Sequence, residues 1–336
     1  MIPENEVIPL KKWFAAVLLA ALVLTGCGPK QPEAHEAQLF AMDTLMSLRI
    51  WGDEVLVTQT EDTLRSLEAL LSATAEDSDI ARLNRDGTAE LQPQTADLLQ
   101  QALDCATRTG GAFDPTVYPL VCLWGFPSGK YHVPTEAELT GALAHTGPQH
   151  LQLDGAAAAL DAGCSVDLGG IAKGYAAEQC AHQLEDAGAQ AAMLSLGGNV
   201  QTVGSKPDGT AWTVAIENPD GGAYLGTVQI TDQCVVTSGG YQRYFEQDGV
   251  RYWHILDPET GKPARSGMKS VTIVSADDTL ADALSTALFV MGPERAADFW
   301  REHRAEFGAV WLTDDGRLFV TEGLTLTTER EYEVVS

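Results

Sequence analysis

Three stretches of the chain combine residue types that can do chemistry. In Ala281-Asp282-Ala283-Leu284-Ser285-Thr286-Ala287, one carboxylate and two hydroxyls stand at i, i+3 and i+4 of an otherwise apolar segment. On a helix that spacing puts the oxygens of Asp282, Ser285 and Thr286 on one face, a set of hard ligands suited to Mg²⁺. The same spacing also lets Thr286 donate back to the carbonyl of Asp282, a common fate of helix threonines. In Asp167-Leu168-Gly169-Gly170-Ile171-Ala172-Lys173-Gly174, glycines stand where a strand is expected to pass into a helix. There the main chain can approach a ligand closely, the first N–H groups of the helix favour an anion, and Lys173 adds a point charge for a phosphate. The spacing is neither the P-loop nor the dinucleotide fingerprint, so a plain glycine turn with a surface lysine is the competing reading. The third stretch, Tyr252-Trp253-His254-Ile255-Leu256-Asp257-Pro258-Glu259-Thr260-Gly261-Lys262-Pro263, carries His254 near the end of an aromatic strand. A histidine at the edge of a site can exchange a proton during phosphoryl transfer, and one within a strand can equally be structural.

Two more glycine turns, Ser195-Leu196-Gly197-Gly198-Asn199 and Thr237-Ser238-Gly239-Gly240-Tyr241, follow apparent strands. Several such turns in one chain suggest main chain lining a ligand cleft. The bulk composition sets limits on that ligand. With 336 residues, 45% of them hydrophobic, the chain can bury a large core. Its formal net charge of −26 argues against a nucleic-acid partner, which needs clustered Lys and Arg. Anionic lipid surfaces repel it as well. An acidic protein that handles a phosphorylated ligand needs a local neutralising device, and a divalent metal is the obvious one.

The elements that must position these residues read as α+β, with mixed or antiparallel sheets, flanking helices and one catalytic unit of two lobes. A strand over Thr44 to Trp51 precedes an amphipathic helix with Leu56, Leu64, Leu67 and Leu71 on one face. A second helix runs from Thr95 to Gly110-Gly111, and a third opens on the capping-box pair Thr135 and Glu138. Residues 164–188 predict strand, glycine turn and helix. Short strands follow at Met193–Leu196, Trp212–Ile216, Thr227–Ile230, Val250–Leu256 and Ser270–Val274, then helices at 279–291 and 293–304. A hairpin around Asp314-Asp315-Gly316 ends the pattern.

The N-terminus carries an address. Lys11 and Lys12 precede an apolar run from Trp13 to Leu24, the length of a secretion-signal core and short for a bilayer span. Leu24-Thr25-Gly26-Cys27 then resembles a bacterial lipobox, in which the cysteine thiol takes the lipid. Residues 1–26 are thus expected to be a lipoprotein signal peptide, 27–38 the lipidated Cys27 and a polar tether, and 39–330 the catalytic domain. The mature protein is expected on the extracytoplasmic face of the membrane. The other cysteines, Cys105, Cys122, Cys164, Cys180 and Cys234, show no metal-binding spacing and read mostly as small buried residues, with a disulfide left open.

In this order, and with Met42-Asp43-Thr44, Ser78-Asp79-Ile80-Ala81-Arg82-Leu83-Asn84 and Phe113-Asp114-Pro115-Thr116 added, the segments resemble the ApbE family of FAD:protein FMN transferases over nearly the whole mature chain. The resemblance implies that Met42 lies against the flavin, that Phe113, Asp114, Pro115 and Asp167 contact the nucleotide, and that Lys173 and Leu256 line the same pocket. For Mg²⁺ it implies the carbonyl of Gly170 with the side chains of Asp282 and Thr286. Ser285 stands where some relatives place a second aspartate, and Thr74 where relatives often carry a stacking aromatic. The activity it implies is transfer of FMN from FAD to a threonine of an acceptor flavoprotein, releasing AMP, with His254 assisting proton removal. Hydrolysis of FAD to FMN and AMP at the same site is one alternative. A lipoprotein that only binds flavin is another.

Overall fold

The computed structural model describes residues 33–336, so Cys27, the lipobox and the signal segment lie outside the described residues. A nine-stranded sheet forms the centre, in the order β1 (His35–Ala41), β2 (Thr44–Trp51), β6 (Ala191–Leu196), β7 (Asn199–Val203), β10 (Cys234–Gly239), β13 (Met268–Ser275), β14 (Phe307–Thr313), β15 (Leu318–Thr321) and β16 (Glu333–Val335). Neighbours run antiparallel except the parallel pair β15 and β16. Side chains alternate across the sheet with period two. Val236, Val271, Ile273 and Trp311 join the core on the helical face, while Val235, Val274, Val310 and Leu312 join the other. The second face is covered by a hairpin of β8 (Trp212–Ile216) and β9 (Gly226–Ile230), whose Trp212, Val214, Ile216, Val228 and Ile230 point inward.

Among the described residues, eight α-helices flank this frame: α1 (Val55–Leu71), α2 (Asp79–Asp86), α3 (Pro93–Arg108), α4 (Tyr118–Leu123), α5 (Glu136–Leu143), α6 (Ala172–Asp186), α7 (Asp278–Met291) and α8 (Pro293–His303). The helix α1 buries Leu56, Thr60, Leu64, Leu67 and Leu71, the spacing read from the sequence. Each fully buried leucine of such a stripe contributes roughly 2 kcal/mol of transfer free energy. Thr135 and Glu138 form the expected capping box at α5. Gly292, at φ 80°, separates α7 from α8, and Pro293 occupies the first turn of the latter. A three-stranded sheet of β3 (Thr88–Glu90), β5 (Ala157–Leu160) and β4 (Leu151–Asp154) stands apart, as does the hairpin of β11 (Tyr244–Gln247) and β12 (Val250–Trp253).

Four expectations need correction. No strand forms over 164–168. There the Asn84 side chain pairs with both main-chain groups of Val166, at 2.8 and 2.7 Å, and Asp167 donates its N–H to the Pro115 carbonyl at 2.8 Å. These partners satisfy the main chain as a ladder would, and the stretch stays extended without joining a sheet. The strand expected to run to Leu256 ends at Trp253, because β12 has only the four residues of β11 to pair with. The tether does not extend to residue 38: His35–Ala41 is a paired strand with Leu39 and Ala41 buried. The folded region also passes residue 330, since β16 adds to the sheet edge.

Candidate active site

The glycine turn and the oxygen-bearing helix meet where α6 crosses α7. The Gly174 N–H donates to Oδ2 of the buried Asp282 at 2.9 Å. Only glycine allows that approach, because a Cβ on residue 174 would collide with the Asp278 carbonyl and come within 2.7 Å of the Asp282 Cβ. Lys173 Nζ lies 3.9 Å from the same carboxylate oxygen and 3.3 Å from the Gly169 carbonyl. Asp282 Oδ1 is left without a hydrogen-bond partner among the described residues.

One turn further along α7, Thr286 is the sole residue between Ala281 and Phe289 that is not fully buried. Its Oγ1 faces the glycine turn, 3.6 Å from where a Cβ on Gly170 would stand, and lies 3.4 Å from Ser238 Oγ. The back-bond to the Asp282 carbonyl is made by Ser285 and not by Thr286, at 2.8 Å. Ser285 is fully buried and also bonds Ser238 Oγ at 2.7 Å, so its hydroxyl is held by protein partners. Asp282 thus meets the glycine turn at Gly174 and Thr286 meets it at Gly170, while the Ser285 hydroxyl is taken up by Ser238 and the Asp282 carbonyl. Among the described residues no cluster of three or more His, Cys, Asp or Glu forms a metal cage. One carboxylate with neutral oxygens is a donor set that suits Mg²⁺, which usually keeps waters and completes its shell with substrate phosphates.

His254 lies within reach of the Lys173 charge. Its main-chain N–H and its Nδ1 both lie 3.1 Å from the Arg243 carbonyl, which fixes the proton on Nδ1 and leaves Nε2 as an acceptor. Burial, with the charges of Arg243 and Lys173 acting in the same direction, pushes its pKa down to about 4. The imidazole is thus neutral at physiological pH. Asp167 is subject to the same two cations: burial raises its pKa, while the Gly169 N–H, Arg243 and Lys173 oppose the rise.

The remaining nucleotide candidates divide. Phe113 lies directly against the glycine turn, its ring edge 3.3 Å from a Cβ position on Gly170, and Pro115 O holds Asp167 N. Asp114 is a turn-former whose Oδ1 accepts Thr116 N at 2.7 Å and Thr116 Oγ1 at 2.6 Å, and burial raises its pKa. Met42 occupies the two-residue turn between β1 and β2, with φ 49° at Met42 and 59° at Asp43, and its N–H donates to Glu68 at 2.7 Å. Thr44, just after it, fits against Gly197, whose φ of 61° and close approach exclude a side chain. Thr237 N then bonds Gly198 O at 3.1 Å, so the turns at 42–43, 197–198 and 239–241 gather at one end of the sheet. Leu256 is packed among Leu120, Trp124, Phe126, Leu139 and Phe245. Thr74 bonds Ser72 Oγ, and the ring that approaches this segment is Tyr118, whose OH reaches the Ala73 carbonyl at 3.4 Å.

Sequence reasoning missed three contributors. Ser238 ties β10 to α7. Asp278, fully buried one turn before Asp282, accepts from Asn199 Nδ2 at 2.6 Å. Arg243 orients His254 through its carbonyl, a role that no side-chain pattern reveals. Among the described residues all five cysteines are free, with only Cys122 exposed.

The ApbE family model matches residues 42–311. The FAD:protein FMN transferase of Vibrio cholerae is 34% identical over 321 residues, covering 91% of this chain and 96% of the relative. The enzyme of the same description from Salmonella typhimurium is 34% identical over 330 residues, covering 91% and 94%. The crystal structure of the ApbE protein of Thermotoga maritima superposes with a TM-score of 0.82 at 32% identity, covering 86% of this chain and 97% of that one.

Proposed function

This chain belongs to the ApbE family, and we propose that it transfers FMN from FAD onto a threonine hydroxyl of an acceptor flavoprotein, with Mg²⁺ bound and AMP released. The observation that carries the reading is the meeting of Asp282 and Thr286 with the Gly170–Gly174 turn. The carbonyl of Gly170, the carboxylate of Asp282 and the hydroxyl of Thr286 would hold the Mg²⁺. An ion held there would supply charge withdrawal from the diphosphate, which would favour departure of AMP.

The chain's own residues account for the rest. Lys173 adds a positive charge beside the turn, and the first N–H groups of α6 favour the phosphate. Asp167 and Phe113 form the wall next to Gly170 and orient the nucleotide. In the transfer step the acceptor's threonine oxygen bonds to the FMN phosphorus as the bond from that phosphorus to the bridging oxygen breaks, and the oxygen leaves with AMP. The threonine proton passes to Nε2 of His254, whose neutral form and fixed tautomer suit it as a base.

For location, the reading is a lipid anchor through Cys27 on the extracytoplasmic face, supported by Lys11, Lys12, the apolar run and Leu24-Thr25-Gly26-Cys27. No helix among the described residues is long and apolar enough to cross a membrane. The anchor would keep the enzyme beside membrane-associated acceptor flavoproteins. Incubation with FAD, Mg²⁺ and an acceptor domain, followed by weighing the acceptor, tests the activity. A mass gain of one FMN is expected. Free FMN with an unchanged acceptor would establish hydrolysis instead.

A further inference from the structure

Arg243 follows the Thr237–Tyr241 turn and precedes β11. While its carbonyl fixes His254, its guanidinium donates through Nη2 to the Phe126 carbonyl at 2.8 Å. The Phe126 ring in turn packs edge-on against the His254 ring, centroids 6.3 Å apart. Loop, turn and imidazole form one assembly, and the guanidinium is pinned at one corner of it. In a chain with 47 acidic residues against 21 Lys and Arg, a cation without an acid partner needs a reason. Arg251, on the same hairpin, pairs with Glu246 at 3.1 Å. Arg243 has no salt bridge among the described residues, although its side chain is exposed. Its charge reaches the same two groups as that of Lys173, namely Asp167 and His254.

We propose that Arg243 is a phosphate-binding residue of the nucleotide site: Phe126 pins its guanidinium through Nη2, and its remaining N–H donors, together with Lys173, receive the diphosphate of FAD. The proposal rests on the FAD reading given above and adds a residue to it. A planar fork with one arm already fixed loses little freedom on binding and can take two phosphate oxygens at once. Arg243 would thereby favour a dinucleotide diphosphate over a flavin that lacks phosphate. It is a binding residue and takes no proton.

The competing account is a structural clamp that only ties the Arg243 loop to the Phe126 turn. Two variants separate them. Arg243→Gln keeps an N–H donor for the Phe126 carbonyl and loses the charge, whereas Arg243→Lys keeps the charge. FAD binding to the purified chain is followed by flavin fluorescence with Mg²⁺ present, and ADP is titrated as a competitor. We expect R243Q to weaken FAD and ADP by roughly tenfold or more, the usual worth of a hydrogen bond to a charged group, and R243K to recover much of the loss. Unchanged FAD affinity in R243Q, or equal loss in both variants, would overturn the proposal. The two readings fail separately: a wild type that binds FAD but adds no mass to an acceptor ends the transferase reading and leaves Arg243 in place. A wild type that binds no FAD ends both.

Discussion

The Gly174 N–H and the Asp282 carboxylate, 2.9 Å apart, join the helix that follows the glycine turn to the helix that carries the candidate metal ligands. The bond is local to neither helix, since 108 residues separate its partners. It turns two weak sequence signals into one site, because the helix that presents Thr286 is held against the turn that presents Gly170. The proposed site thus depends on a close packing contact that only a residue without a side chain permits.

Replacing Gly174 with Ala should therefore cost both stability and activity. The new methyl would meet the Asp278 carbonyl and stand within 2.7 Å of the Asp282 Cβ, so α6 and α7 must part. Overpacking of this kind costs about 1–3 kcal/mol. Thermal denaturation should show a lowered Tm, and FMN transfer should fall further than the folded fraction does. An unchanged Tm would mean that the helices yield without strain.

Asp282→Asn separates charge from packing. The amide oxygen can still accept the Gly174 N–H, so the fold should persist, while the negative charge that Mg²⁺ requires is gone. FMN transfer is expected to drop roughly a hundredfold or more, the worth of several kcal/mol of metal assistance. Thr286→Val, which keeps the shape and removes the hydroxyl, should raise the Mg²⁺ concentration needed for half-maximal rate. Wild-type turnover in D282N would eliminate Asp282 as a ligand.

These contacts also mark the limit of what the sequence discloses. Trp212, Val214 and Ile216 alternate with the smaller Thr213 and Ala215, and the strand they predict forms with the same bounds. The capping box at Thr135 was legible because both partners sit within one turn. The extended run at 164–168 was not, since its main chain is satisfied by Asn84, 82 residues away. Strand β1 was hidden by His35, Glu36 and Gln38, which leave only Ala37, Leu39 and Ala41 for the inward face. Likewise, the helical stripe puts Ser285 and Thr286 on one face, and the bonds of Ser285 to the Asp282 carbonyl and to Ser238, on a strand 47 residues earlier, are what engage its hydroxyl.

His254 predicts a distinctive pH dependence. Its pKa is about 4 in the folded chain against an ordinary 6.5, so the neutral base persists well into acid. Transfer should stay level from neutral pH down to about 5 and fall as pH approaches 4, with acceptor mass gain as the readout. Stability follows a related course: the unfolded chain takes up this proton first, so the fold loses stability as pH drops from 6.5 towards 4. His254→Gln should lower kcat by about 10²- to 10⁴-fold if the imidazole is the base. A rate that already declines below pH 6.5 in step with an ordinary histidine would argue against it.

The last prediction concerns Asp278, whose carboxyl is buried beside Asn199. Asn199 Nδ2 donates to its Oδ1 at 2.6 Å, which leaves Asp278 Oδ2 and Asn199 Oδ1 as two buried oxygens with no partner. A single proton on Oδ2 would satisfy both by closing a reciprocal acid–amide pair. Burial raises the pKa of Asp278 well above the ordinary carboxylate value, with Asp282, Glu178 and Asp277 adding to the rise and Asn199 opposing it. Because the folded value is the higher one, this group's contribution is complete below 3.8 and diminishes as pH rises towards the folded pKa. Asp278→Asn, permanently neutral and of the same shape, should be at least as stable as the wild type at pH 7, with any advantage shrinking towards pH 4. Asp278→Ala leaves Asn199 without its partner and should cost about 1–3 kcal/mol. Denaturant melts of both variants at pH 4 and 7 check this. If Asn is as damaging as Ala at pH 7, the side chain works as a charged carboxylate, and the acid–amide pair is wrong.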